Sequence, residues 1–553
     1  MRPNEKADTI FFNGKVVTLD SNDTIANAVA VRDGRILAVG SDEEVKKAAD
    51  SRTSLIDLRG KTMLPGFIDS HTHLGPASLN FRYYVDGRCP PNKSVSDILE
   101  RIRQRVKETP KGEWIFTAMS MFADLKLTEK RFPTKDELDI VAPEHPVLIY
   151  ASLHTQVVNT YGLKLANIAK ETPDPPGGKI ELDETTGQPT GILRECNKLL
   201  PIPSFSYEQF KQTAKDMATQ YWVKQGLTTV CSFADARELR VYQELFNEKS
   251  LPLRVQGMPM DRSLGSDPMI DSLVTLGIQS GLGNDWLKIG GVKIKIDGAL
   301  VGLSAATHEP YLNVPGKEYR GELLINDPHH LSGLVLKAHN AGLQLCVHAI
   351  GDKAQDWALD AFENALTANP KAHRHRIEHL GNLMTNSERI HRAKTLDIVP
   401  ITQVEWLYEK GDFIERYLGS FRKNQSWPLR SMFDAGLNVA NSSDTIGAAP
   451  LSVNPFFSMW CAVTRQTFFG KRLIYKEAIS VKEALHLYTK NAAYACMEED
   501  LKGSIEPNKL ADLIVINRDI LTIPEEQIKD IKIEMSIIDG KIVYDSNLDE
   551  RGW

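Results

Sequence analysis

Over the first 58 positions, apolar residues come in short runs separated by glycine turns: 10–12 before Asn13-Gly14, 16–19, 28–31 before Asp33-Gly34, and 36–39. Asn-Gly or Asp-Gly between apolar runs favours a type I′ hairpin, because both central residues need positive φ. Hairpins are therefore predicted at both sites. The far end repeats the device, with runs at 511–516 and 535–538, then Asp539-Gly540 and 542–544. This predicts one small β domain built from both termini, residues 1–60 with 500–553, and everything between them as an insertion.

The middle, residues 61–499, alternates differently. Apolar runs at 146–150, 227–231, 253–256, 291–296, 343–349 and 398–401 are separated by amphipathic stretches such as 210–224, 330–341 and 481–490. Strands alternating with helical patterns imply βαβ units and a parallel sheet, closed or open, and periodicity alone does not choose. Between His71 and Lys293 there is more chain than two or three such units need, including the run Thr172-Pro173-Asp174-Pro175-Pro176-Gly177-Gly178. An inserted lobe is predicted within 75–210.

Composition narrows the class. The chain has 553 residues, 42% apolar and 25% charged, with net charge −6, enough to bury a large core. No run of like charge offers a basic face, so neither nucleic acid nor an anionic membrane surface is an expected partner. No stretch approaches the roughly 18 apolar residues of a membrane span, and the first residues lack a signal-like apolar run, so a cytoplasmic protein is expected. Cys89, Cys196, Cys231, Cys346, Cys461 and Cys496 form no CxxC pair and read as free thiols of a reducing compartment. A homodimer is the base-rate expectation for assembly.

Candidate chemistry sits where apolar runs end. His71 and His73 are two apart in an extended segment, so both imidazoles project to one face, which suits Zn²⁺. His348 follows the run at 343–347, His379 follows Arg376-Ile377-Glu378, and Asp444 follows Val439 to Ser443. Alone, each histidine reads as a core residue and Asp444 as a cap or turn residue. Lys293, Lys295 and Asp297 share one face of another run by parity.

These features occur in the order His-x-His, Lys, His, His, Asp. Together with Leu64-Pro65-Gly66-Phe67-Ile68-Asp69-Ser70-His71-Thr72-His73, Asp297-Gly298, His348-Ala349-Ile350-Gly351-Asp352, Arg376-Ile377-Glu378-His379 and Ser443-Asp444, the chain resembles the amidohydrolase superfamily. The resemblance is to the branch containing N-substituted formamide deformylases and covers nearly the whole chain. It implies an α/β fold, a (β/α)₈ TIM-type barrel with a composite β-sandwich. It also implies two divalent metal ions, zinc by expectation: one on His71, His73 and Asp444, the other on His348 and His379. A carbamate formed from CO₂ on Lys293 would bridge them, with Lys295 as the alternative on the same face.

The implied reaction is hydrolysis of a C–N bond in a small-molecule amide, formamide or cyclic amide. Two cations lower the pKa of a shared water from about 15.7 toward neutrality and polarise the carbonyl, and Asp444 acts as general base, then general acid. Asp352 and Glu378 are expected to orient ligand histidines, although strand parity turns Glu378 away from His379. His154 and Gln403 are candidates to meet the substrate.

Three departures bear on substrate. The arginine usual after Asp297-Gly298 is missing from Ala299 to Ala306, Gln403 is followed by Val404, and Asp444 by Thr445-Ile446. Trp406, Phe456 and Trp460 could line an aromatic pocket or belong to the core. The rival readings are a one-metal deaminase, which has no use for Lys293, and a non-catalytic binding protein, which has no reason to keep all six ligand positions. No G-x-G-x-x-G follows an early strand, which excludes a Rossmann oxidoreductase.

Overall fold

Backbone pairing joins the two ends of the chain in the computed structural model, which describes residues 5–151, 155–175, 178–260, 267–314, 318–445 and 450–549. The Thr62–Pro65 strand runs parallel to Lys15–Val17 and antiparallel to Leu513–Ile516. Leu513–Ile516 continues the sheet to Ile533–Ile538 and then Lys541–Asp545. A second sheet orders Arg35–Gly40, Ala28–Arg32, Thr9–Phe12 and Ser54–Asp57. Phe11, Val29 and Val31 from the second sheet share one core with Val16, Met63, Leu513, Val515 and Ile537 from the first.

Two of the three expected hairpins form. Asp33 and Gly34 (φ 48° and 74°) join Ala28–Arg32 to its antiparallel partner, and Asp539 and Gly540 (φ 56° and 73°) do the same at the far end. Asn13-Gly14 is a correction. Asn13 has φ 57°, but Gly14 is not left-handed, and the flanking strands enter different sheets. Gly14 serves close approach instead: a Cβ there would lie 2.4 Å from Leu58 Cδ1.

The middle of the chain supplies two parallel sheets. One orders Leu287–Ile289, Arg254–Pro259, Leu227–Ala234 and Phe67–Thr72; the other orders Gly291–Lys295, Gln344–His348, Arg376–Glu378, Val399–Thr402 and Ala440–Asn441. At one seam the Leu287–Ile289 strand of the first sheet runs directly into Gly291–Lys295 of the second, and at the other Asp444 N–H donates to His71 O at 2.8 Å. The connecting helices bury one face each. Pro328–Asn340 starts on the Asp327 cap and buries Leu331, Leu334, Val335 and Ala338, the spacing of a single helical stripe. The stretch 481–490 is not one helix: Val481–His486 and Lys490–Ala495 are separate, because Thr489 leaves helical geometry (φ −125°, ψ −97°).

The chain divides into two compact units, residues 1–74 with 215–444 and 451–553, and residues 75–214 with 445–450. The second unit has a six-stranded mixed sheet over a core of Leu148, Val158, Leu163, Ile180 and Leu193. The run at 146–150 belongs here, as Val147–Tyr150, and not to the parallel sheets. The molecule is thus α/β. Among the described residues no helix is long and apolar enough to cross a membrane, and all six cysteines are free and buried.

Candidate metal centre

The candidate residues converge at the C-terminal ends of the parallel strands. His71 Nε2 lies 3.2 Å from Asp444 Oδ1, and His73 Nε2 lies 3.4 Å from the same oxygen. One ligand atom each of His71, His379 and Asp444 falls within 4.8 Å of the others. Lys293 Nζ is 3.4 Å from His71 Nε2 and 4.0 Å above the Phe233 ring. The His348 and His379 ring centroids are 4.5 Å apart. His379 (φ 74°) and Asp444 (φ 41°) are left-handed non-glycine residues, a backbone state that persists where surrounding structure imposes it.

Hydrogen bonds select which nitrogen of each ring keeps its lone pair. His71 Nδ1–H donates to Glu378 Oε2 at 2.6 Å, leaving Nε2 as the acceptor facing Asp444. His379 Nδ1–H donates to Gln403 Oε1 at 2.7 Å, which frees its Nε2. His348 is the reverse: Nε2–H donates to the Gly298 carbonyl at 3.0 Å, and the lone pair is on Nδ1. The His71 lone pair therefore opposes a carboxylate oxygen, two electron-rich atoms that a proton or a cation must lie between. Such a donor set, imidazole nitrogens oriented by partners on their other nitrogen plus one carboxylate, fits a divalent ion.

Electrostatics agree with ligation. Burial pushes His73 down to about 4, His379 to about 3 and His348 well below its usual value, so all three stay neutral, as metal binding requires. Burial alone would raise the Asp444 carboxyl, but a positive charge at His71 and the hydrogen bonds from His71 and His73 outweigh it and hold Asp444 well below the usual carboxylate range. Burial pushes the Lys293 amine down to about 8. Lys295, its rival on the same face, is exposed.

Other expected residues fare differently. Glu378 contacts not its neighbour His379 but His71, and it is paired with Arg376 at 2.5 Å in the protein interior. Gln403, expected to meet substrate, is consumed: Oε1 accepts from His379 and Asn382, and Nε2 donates to Ser442 Oγ at 2.7 Å. Asp352, expected to orient a histidine, instead accepts from the His308 and Lys353 backbone N–H groups, each at 3.0 Å, because it occupies the first turn of Asp352–Ala368. His154 lies outside the described residues. Trp406 stacks on His379 with rings 5.5 Å apart and inclined by 12°, whereas Phe456 packs edge-on to Phe67 and Trp460 on Phe457, both in the core.

Three residues to which the sequence assigned no role support the centre. Asp69 accepts from Ser443 N–H at 2.9 Å and Ser443 Oγ at 2.6 Å, fastening the segment that carries Asp444. Asp297 accepts from Ala306, Ile350 and Gly351 N–H groups at 2.8–3.0 Å, beside His348. Arg376 holds Glu378 and also donates to the Ser70 carbonyl. Their only signal was a charged residue inside an apolar run.

A family profile described as "Amidohydrolase family" matches residues 54–544. The chain belongs to the amidohydrolase family. It is 30% identical to an N-substituted formamide deformylase of Arthrobacter pascens over 97% of this chain and 98% of that protein. It is 31% identical to the protein LONG AFTER FAR-RED 3 of Arabidopsis thaliana, over 92% and 87% of the two chains. Among solved structures, an uncharacterized metal-dependent hydrolase from Pyrococcus horikoshii OT3 superposes with a TM-score of 0.73 at 26% identity, covering 94% of this chain and 99% of that one. This amidohydrolase is thus an enzyme, a metal-dependent hydrolase acting on carbon–nitrogen bonds of a small molecule.

Proposed function

We propose that the protein hydrolyses an amide, formamide or cyclic amide at a two-zinc centre on a (β/α)₈ barrel. The carrying observation is the convergence of a buried, low-pKa lysine with imidazole lone pairs set by Glu378, Gln403 and Gly298 and with the Asp444 carboxylate. The bridged seams and all-parallel pairing support barrel closure, and the shared core of the two terminal sheets supports a composite β-sandwich of residues 1–60 and 500–553 to which the Thr62–Pro65 strand, expected in the barrel domain, also belongs. The rest of residues 61–499 is then the barrel domain, with residues 75–214 as the inserted lobe.

His71, His73 and Asp444 would hold one ion and His348 and His379 the other, with Lys293 between them. When bound, the pair of ions lowers the pKa of a water toward neutrality and polarises the substrate carbonyl. Lys293 would serve as a ligand in its carbamate form, which neutral Nζ would give on adding to CO₂ with formation of an N–C bond and loss of one proton. Glu378 and Gln403 keep the His71 and His379 rings in the tautomer that points Nε2 inward. Asp444 takes the proton of the attacking water on its carboxylate and returns it to the departing nitrogen, so that an amine can leave.

The test is a panel of formamides, acetamides, lactams and hydantoins with zinc-supplemented protein and with Asp444→Asn. Turnover of at least one class, with kcat lower by about 10²-fold or more in Asp444→Asn, is expected. No turnover of any class, or equal turnover by the variant, overturns the reading.

A further inference from the structure

Cys231 and Cys496 come from chain segments 265 positions apart, yet their sulfur atoms lie 3.2 Å from each other. Cys231 sits inside the Leu227–Ala234 strand, and Cys496 caps the C-terminal end of the Lys490–Ala495 helix. Both are free thiols, 0% and 2% exposed, in an apolar cluster with Ile68, Phe233, Met258 and Ala492. The proposed hydrolytic chemistry uses neither of them.

The backbone around the pair is anchored. Gln256, the register partner of Cys231 on the next strand, donates from Nε2 to the Cys496 carbonyl at 3.0 Å, and Gln344 Nε2 donates to the Ala495 carbonyl at 2.8 Å. Held segments thus present the two sulfurs to each other, and a disulfide bond of about 2.05 Å needs them to approach by little more than about 1 Å. The hydrogen bond with Cys231 and burial push the Cys496 thiol well above its usual pKa, so Cys496 is protonated at neutral pH and the pair rests in the reduced state. Arg376, whose Nη1 is buried without a hydrogen-bond partner among the described residues, opposes that shift with its positive charge and so eases the negative charge that a reacting sulfur must carry. An oxidant that enters this dry interior must be small and uncharged.

We propose that Cys231 and Cys496 form an oxidation site, a dithiol that hydrogen peroxide or a similarly small, uncharged peroxide converts to a disulfide. The bond staples the Leu227–Ala234 strand to the end of the Lys490–Ala495 helix. The Cys231 sulfur attacks one peroxide oxygen, the O–O bond breaks, and the departing oxygen leaves as water with the thiol proton. The Cys496 sulfur then attacks the Cys231 sulfenic acid, forming the S–S bond and expelling a second water. The two sulfurs lose two electrons and the peroxide gains them. Closing so long a loop stabilises the oxidised form, and a thiol reductant restores the dithiol. This inference is independent of the amide-hydrolase reading.

The experiment treats zinc-supplemented protein with hydrogen peroxide, quenches it with catalase, alkylates it under denaturing conditions and counts thiols by mass spectrometry. Two of the six thiols are expected to escape alkylation, in a chain about 2 Da lighter that yields a peptide joining Cys231 to Cys496. The link disappears on reduction, is absent from Cys231→Ala and Cys496→Ala, and persists in Cys346→Ala, which removes the other cysteine of the cluster. The oxidised wild type melts at least about 2 °C higher than the reduced. Oxidised glutathione, too large to enter, leaves all six thiols alkylable. Six alkylable thiols after peroxide, a bridge made through Cys346, a mixed disulfide with glutathione on the native protein, or a link without a rise in Tm overturns the proposal.

Discussion

Replacing Glu378 by Gln separates what the buried carboxylate does for the fold from what it does for the metal centre. Glu378 is fully buried and accepts from His71 Nδ1 at 2.6 Å and from Arg376 Nε and Nη2 at 2.5 and 2.9 Å. Burial alone would raise its pKa, but the Arg376 guanidinium and His71 outweigh that and keep it ionised far below the usual range. Glu378→Gln keeps the shape, yet leaves Arg376 charged, buried and without its counter-ion, at a cost of about 3–5 kcal/mol. Loss of the acceptor charge on His71 should also lower metal affinity about 10–100-fold, which is about 1.4–2.7 kcal/mol. Urea unfolding of metal-free protein measures the first quantity, and competition with a chelator measures the second. The double variant Arg376→Met, Glu378→Met removes both charges, so it should recover most of the stability while its metal affinity stays low. A double variant that binds metal like wild type would show that Glu378 is a packing ion pair and refute its role in orienting His71.

Three further outcomes follow from the same geometry. With Lys293 at about 8, about one amine in ten is neutral at pH 7, roughly 300-fold more than at the ordinary value; incorporation of ¹³C-bicarbonate, read by NMR on zinc-loaded protein, should rise to about pH 8 and flatten, and a climb continuing to pH 10 contradicts this. His375 accepts from Leu345 N–H at 3.1 Å and donates to His339 at 2.9 Å, and burial holds His375 well below its usual pKa. The unfolded chain therefore binds the extra proton, so stability is full above about pH 6.5 and falls below it by up to about 1.4 kcal/mol per pH unit per histidine; a His375→Phe variant with an undiminished slope of urea stability between pH 6 and 5 rejects the assignment. Arg254 and Asp512 form a buried two-pronged pair at 2.7 and 2.9 Å, so Asp512→Asn should lose about 3–5 kcal/mol by urea unfolding, and a loss under about 1 kcal/mol would contradict the pairing.

What was legible in the chain followed from periodicity. Strand parity put His71 and His73, and Lys293 and Lys295, on shared faces, and the Asp33-Gly34 and Asp539-Gly540 turns formed because both residues take positive φ. Asn13-Gly14 looked the same locally, but close packing on Leu58 and entry into separate sheets decided its conformation. Parity left Lys293 and Lys295 together and the resemblance put the bridging role on Lys293; the fold adds that Lys293 is buried and Lys295 exposed, a difference parity does not encode. Gln403 and Asp352 were misjudged for one reason: a polar residue near a candidate ligand says nothing of which hydrogen bonds it already makes. Glu378 shows the reverse, since pointing away from His379 carried it across to His71 on a strand 307 positions distant in sequence.

The most direct test of the central claim is elemental analysis of protein expressed with added zinc and purified without chelator, alongside Lys293→Met. The account predicts close to two ions per chain in wild type and at most one in the variant. One ion or none in wild type under full zinc supply would contradict a Lys293-bridged pair.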